Sequence, residues 1–174
     1  MLKGIHKKHP SKLEIKFSKF ENNTSKMGGV AHLIDVSTIR CIGNIFVGNF
    51  ALVNGGTFYI TLDRYAHIAP YKTIFEILNC NSTFHMNEAK DGGVLYVKEA
   101  FDLLNINSSF INNTVQIYGG SFYISGTKIL FNTGCLFDGE HAELDGGSVY
   151  LKDVDLIRIS NCTHSENIAD RGGV

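Results

Sequence analysis

Six Gly-Gly pairs punctuate the chain, at Gly28 and Gly29, Gly55 and Gly56, Gly92 and Gly93, Gly119 and Gly120, Gly146 and Gly147, and Gly172 and Gly173. The steps between them are 27, 37, 27, 27 and 26 residues. A fixed period of this size means a solenoid, in which each repeat buries its apolar face against its neighbours. Each pair follows, by eight or nine residues, a slot held by Phe20, Phe46, Phe84, Phe110, Phe137 and, in the last unit, His164. Three residues beyond that slot come Asn23, Asn49, Asn87, Asn113, Glu140 and Asn167. Five residues beyond it stand Ser25, Ala51, Ala89, Val115, Ala142 and Ala169.

Each element of the unit has a physical reason. An aromatic ring that recurs once per coil can stack on its copies in the core. Asparagine at a turn tolerates left-handed backbone and can bond its copies in a ladder. Gly-Gly supplies positive φ and close backbone approach at a corner. The small residue fits where two strands converge. After each pair, alternate positions are apolar: Ala31, Phe58, Leu95, Phe122 and Val149, then Leu33, Ile60, Val97, Ile124 and Leu151. That alternation predicts a strand with these residues inward and His32, Tyr59, Tyr96, Tyr123 and Tyr150 outward. A second apolar stretch precedes each aromatic slot, as in Leu103 and Leu104, with no register fixed by the sequence.

The expected architecture is all-β: a right-handed parallel β-helix of about six coils, each with three short strands and three corners. The rival solenoid, a leucine-rich repeat, would show its Leu-x-x-Leu-x-Leu pattern, which is absent. The whole of residues 1–174 reads as one such segment. Its end at Gly172, Gly173 and Val174, just as a strand begins, is expected to mark a fragment of a longer solenoid. An uncapped coil also predicts end-to-end self-association.

The repeat resembles that of the polymorphic outer-membrane proteins of chlamydiae, within the broader pectin-lyase-like fold. Phe84 to Asn87 with Gly92 and Gly93, and Phe110 to Asn113 with Gly119 and Gly120, carry the likeness. Glu140 and His164 depart from it, so their coils are expected to be looser. The resemblance implies an adhesive surface module, placed extracellularly or at the cell surface, with a glycan or a cell-surface protein as partner.

Bulk properties narrow the classes. The chain has 174 residues, 44% of them hydrophobic, and a net charge of −1. Nucleic acid is therefore not an expected partner. A local cluster of Lys3, Lys7, Lys8, Lys12, Lys16 and Lys19 reads as a solvated face. No apolar run spans a bilayer, and the basic start of the chain precedes no apolar signal segment. Cys41, Cys80, Cys135 and Cys162 lack metal spacing. Cys135 and Cys162 should stack on adjacent coils as thiols rather than bridge. Asn-x-Ser/Thr sites occur at Asn22, Asn23, Asn81, Asn107, Asn112 and Asn161. Those at Asn81, Asn107 and Asn161 recur three residues before the aromatic slot, which reads as repeat structure first.

Two candidate binding features stand out. The long step places about 11 extra residues at 63–73, an insertion that maps to a loop on a solenoid. It offers Asp63, Arg64, Tyr65, His67, Tyr71 and Lys72, on the kind of element where binding residues concentrate. The second is the outward row of Tyr59, Tyr96, Tyr123 and Tyr150, a ridge for sugar rings or a partner protein. No residue is assigned a catalytic or metal-binding role, and no cofactor is implied. Asp91 and Asp145 are two coils apart with Tyr118 between them, which is no acid–base pair. The reading is a non-enzymatic structural or adhesive segment. Its alternative is a carbohydrate-active enzyme, a lyase or hydrolase, with a cleft near the 63–73 loop.

Overall fold

This computed structural model describes residues 2–3, 11–61, 76–100 and 102–174. They form a parallel β-solenoid whose described residues include strands and turns but no helix. One coil runs through Glu76–Cys80, Thr83–His85, Glu88–Asp91 and Leu95–Lys98. These strands belong to four stacked sheets, here sheets 1 to 4 in that order. Sheets 1, 2 and 4 have six strands and sheet 3 has five. Every neighbouring pair within them is parallel. The described strands make five complete turns and begin a sixth with Leu156–Ser160 and Thr163–Ser165, close to the six coils expected.

The expectation of three strands per coil is corrected to four. Four corners per coil are marked by left-handed residues. Between sheets 1 and 2 they are Phe17, Gly43, Asn81, Asn107, Gly134 and Asn161. Between sheets 2 and 3 they are Asn22, Gly48, Met86, Asn112, Gly139 and Glu166. Gly28, Gly55, Gly92, Gly119 and Gly146 turn the chain into sheet 4, and Asp35, Glu99, Gly126 and Asp153 turn it out again. A second correction follows. The repeated Asn of the ladder is not the left-handed residue; it comes immediately after one.

The Gly-Gly pair divides its two tasks between its members. Gly92 has φ +62°, where a side chain is strained. At Gly93 an added Cβ would fall on the carbonyl oxygen of Gly120 in the next coil. The same collision recurs from Gly29 to Gly56 and from Gly120 to Gly147. The pair thus lets successive coils approach at a corner with no side chain between them.

Phe20, Phe46, Phe84, Phe110 and Phe137 stack in sheet 2 with ring centroids 5.1, 4.8, 5.0 and 4.7 Å apart. Phe58 and Phe122 of sheet 4 meet this stack edge-on, at 5.2 Å from Phe46 and 4.7 Å from Phe110. Edge-to-face and offset contacts are the favoured aromatic geometries. His164 continues the stack 4.7 Å from Phe137, at 6° between planes, so it packs as the slot requires. Sheet 1 supplies Ile39, Ile77, Leu103 and Leu130 to the same core, and sheet 3 supplies Ala51, Ala89, Val115 and Ala142.

Polar ladders run up the interior beside this apolar core. The backbone N and Nδ2 of Asn23 both donate to Asn49 Oδ1, at 3.1 and 2.8 Å. Asn49 donates likewise to Asn87, and Asn87 to Asn113. A second ladder, unforeseen because the register of sheet 1 was open, links Asn79 to Asn105 at 2.8 Å and Asn105 to Asn132 at 2.7 Å. Cys135 N donates to Cys162 Sγ at 3.4 Å, and both cysteines are free thiols on adjacent coils, as expected.

Candidate functional site: a tyrosine ridge on sheet 4

Strict register in sheet 4 sets the ridge. Tyr59, Tyr96, Tyr123 and Tyr150 are direct neighbours on successive strands. Their flanking residues, Phe58 and Ile60 or Phe122 and Ile124, are buried, so the period of two sends the tyrosines outward. The rings stack at 5.2, 4.5 and 5.3 Å, with interplanar angles of 22°, 8° and 17°. His32 heads the row and meets Tyr59 edge-on at 4.7 Å. Tyr118, at the end of its sheet 3 strand, joins the group by stacking on Tyr150 at 4.7 Å. The sequence reading placed Tyr118 between Asp91 and Asp145, and the bridges confirm that order. What it missed is that the Tyr118 ring reaches the ridge.

The electrostatics are mostly those of burial. Tyr96, although on the outer side of its strand, is only 5% exposed. Burial, with Tyr59 and Asp91 adding to it, pushes its phenol up to about 12. Tyr123 is also raised, chiefly by burial. Both phenols therefore stay protonated and can donate hydrogen bonds at neutral pH. Burial raises the Asp91 carboxyl as well, while the Tyr118 backbone, Lys90 and Lys98 oppose it. Lys98 Nζ lies 5.3 Å from the centroid of the Tyr96 ring, within cation–π range. Burial lowers the His32 imidazole, which favours its neutral form.

This geometry determines how the ridge can make contacts. Tyr96 and Tyr123 each have tyrosine rings against both faces. A sugar cannot lie flat on them without breaking the stack. With Tyr96 almost fully covered, the ridge instead offers the ring edges and phenol groups of the half-buried Tyr59, Tyr123 and Tyr150, beside Lys98 and Asp91. The other predicted feature, the insertion with Asp63, Arg64, Tyr65, His67, Tyr71 and Lys72, lies outside the described residues.

Inside the coil, Glu140 replaces one asparagine of the ladder. It is fully buried; Oε1 accepts from Asn113 Nδ2 at 3.0 Å, and Oε2 accepts from Ser121 Oγ. Its backbone N donates to Asn167 Oδ1 at 3.0 Å. The expected loosening at Glu140 is not what the structure shows: the carboxyl takes the asparagine's place in the ladder. Burial pushes this carboxyl up to about 8, with the Ser121 and Asn113 hydrogen bonds opposing that rise.

Among the described residues no group of three or more His, Cys, Asp or Glu side chains is arranged to hold a metal ion. Among them, no helix is long and apolar enough to cross a membrane. No family model, curated protein or solved structure matches the chain.

Proposed function

We propose that the chain is a non-enzymatic adhesive segment of a surface or secreted protein, with the tyrosine ridge of sheet 4 as its binding face. The observation that carries this reading is the in-register row of four stacked tyrosines beside Lys98 and Asp91. A rigid scaffold that repeats one amphipathic side chain at fixed spacing suits a partner with repeated polar groups. A glycan chain meets that description, as does a hydroxyl-rich loop of a cell-surface protein. The Phe-x-x-Asn and Gly-Gly unit supports the comparison with polymorphic outer-membrane-protein repeats and the pectin-lyase-like fold, and with it an extracellular place.

The test is binding of the fluorescent chain to a panel of immobilised oligosaccharides and to intact cultured cells. Tyr123→Phe keeps the ring stack and removes one hydroxyl. Its expected effect is a loss of about five- to tenfold in affinity, the worth of roughly one hydrogen bond of about 1–1.5 kcal/mol. Tyr96→Ala and Tyr123→Ala together should abolish capture. Binding that is unchanged in the double variant would remove the ridge from the proposal.

A further inference from the structure

The outer face of sheet 1 differs from the other three in composition. Its strands place alternate residues outward, because Ile39, Ile77, Leu103 and Leu130 face the core. The outward middle column reads Glu14, Arg40, Leu78, Leu104, Phe131 and Arg158, in strict register. Beside it run Ile42, Cys80 and Ile106 on one flank and Ile129 on the other. Leu78, Leu104, Phe131 and these neighbours are half-buried. The outer faces of the remaining sheets interleave polar residues, as with Tyr96 and Lys98 or Glu88 and Lys90. A contiguous apolar patch rimmed by charge marks an interaction surface.

We infer that this face is a homodimer interface, in which two copies pack sheet 1 against sheet 1 about a two-fold axis parallel to the strands. That axis reverses the order of coils while keeping strand direction. Centred between Leu78 and Leu104, it sets each against the other across the interface. It carries Phe131 of one copy to Arg40 of the other, a cation–π pairing. It also carries Glu14 to Arg158, so the charged ends of the column meet with opposite sign. The other in-plane axis, along the solenoid, would set Glu14, Arg40 and Arg158 each against itself. About the proposed axis, Glu76 of one copy meets Asp102 of the other at the rim, where Arg40, 3.9 Å from Glu76, offsets part of their repulsion. Glu14 also has Lys16 at 2.9 Å on its own strand, and both are exposed.

The size suits a weak dimer. Six strands about 4.8 Å apart and five residues long, at about 3.3 Å per residue, give a face of roughly 25 by 17 Å. Burying it on two copies removes roughly 850 Å² in total, the range of weak, concentration-dependent association. The inference does not rest on the tyrosine ridge, which occupies another sheet.

Sedimentation velocity of the chain at rising concentration tests it. The expected species is a closed dimer of twice 19.2 kDa. Leu104→Lys, at an outward position, should give a monomer with an unchanged far-ultraviolet spectrum. Should that variant fail to fold, the exposed end charges supply the answer. Glu14→Arg or Arg158→Glu alone should weaken the dimer several-fold, and the two together should restore it. A wild-type monomer at the highest concentration, a dimer that survives Leu104→Lys, or an open series of growing masses would overturn the proposal. So would a double charge exchange that fails to restore what each single one loses.

Discussion

Glu140 is the rung at which an ionisable side chain enters a ladder otherwise built from amides. As a neutral acid it retains the acceptor that Asn113 needs and costs little to bury. As a carboxylate it would carry an uncompensated charge. Its unfolded value is near 4.5 and its folded value about 8. Below pH 4.5 the group is neutral in both states and contributes no penalty. Between the two values the unfolded chain ionises while the native chain holds its proton, so stability falls as pH rises. Above pH 8 the loss is complete, on the order of 5 kcal/mol at most for a shift of this size. Glu140→Gln should flatten this slope, and the gap between variant and wild type, read by denaturant unfolding at pH 5 and pH 9, should widen at the higher pH. Equal slopes for the two proteins would mean that Glu140 reaches solvent or a counter-charge.

Among the strands and corners, glycine positions separate two kinds of constraint. At Gly93 an added methyl would strike the Gly120 carbonyl and come within 3.1 Å of the Asn87 carbonyl oxygen, all backbone. At Gly126 the nearest atom is the Glu99 Cγ at 3.5 Å, and only the φ of +68° opposes a side chain. Gly126→Ala should therefore cost about 1–2 kcal/mol, the price of one left-handed residue. Gly93→Ala should cost about 3 kcal/mol or more, through overpacking that no rotamer relieves. Thermal unfolding of the two variants checks the ranking, and equal losses would show that the coils can separate locally. The same elements show how far the sequence could be read. The Phe slot, the Gly-Gly pair and the alternation in sheet 4 were legible because one residue type repeats at one position. The other corners were not. Gly, Asn, Met and Glu share the corner at Gly48, Asn22, Met86 and Glu166, so composition there follows no single rule. That is why four strands per coil were read as three. The Asn79, Asn105 and Asn132 ladder was hidden for a related reason, since its column also holds Ile15, Cys41 and Ile159.

At the scale of the molecule, each coil is supported only by the coils beside it, so stability varies along the rod. Phe110 is fully buried between Phe84 and Phe137, with Phe122 against its edge. Phe20 is half-buried and has the Phe46 ring on one face. Phe110→Ala should cost about 3–5 kcal/mol, and Phe20→Ala clearly less. Hydrogen exchange should be slowest in Thr83–His85 and Ser109–Ile111 and faster toward Lys19–Glu21. Uniform exchange along the rod would mean one cooperative unit instead. For the tyrosine ridge, this gradient places Tyr96 and Tyr123 on the best supported part of sheet 4.

The asparagine ladder has a direction. From Asn23 through Asn113 every Nδ2 in the ladder donates to the following rung. From Asn49 on, every side-chain amide oxygen faces the preceding rung, and the Nδ2 also donates back to a Phe carbonyl of the coil before. Backbone bonds run both ways, as in Asn22 N to Val47 O and Ile45 N to Ser18 O. The backbone dipoles thus largely cancel along each strand, where successive peptide groups point to opposite neighbours, and the side-chain dipoles add. The solenoid carries an internal electric axis built from side chains, with its positive end pointing along the direction of chain growth. Glu140 stops that array, because its second oxygen turns sideways to Ser121 and passes no side-chain proton on to Asn167. A coil added to this rod by duplication would lengthen the field if it carried asparagine and divide it if it carried glutamate.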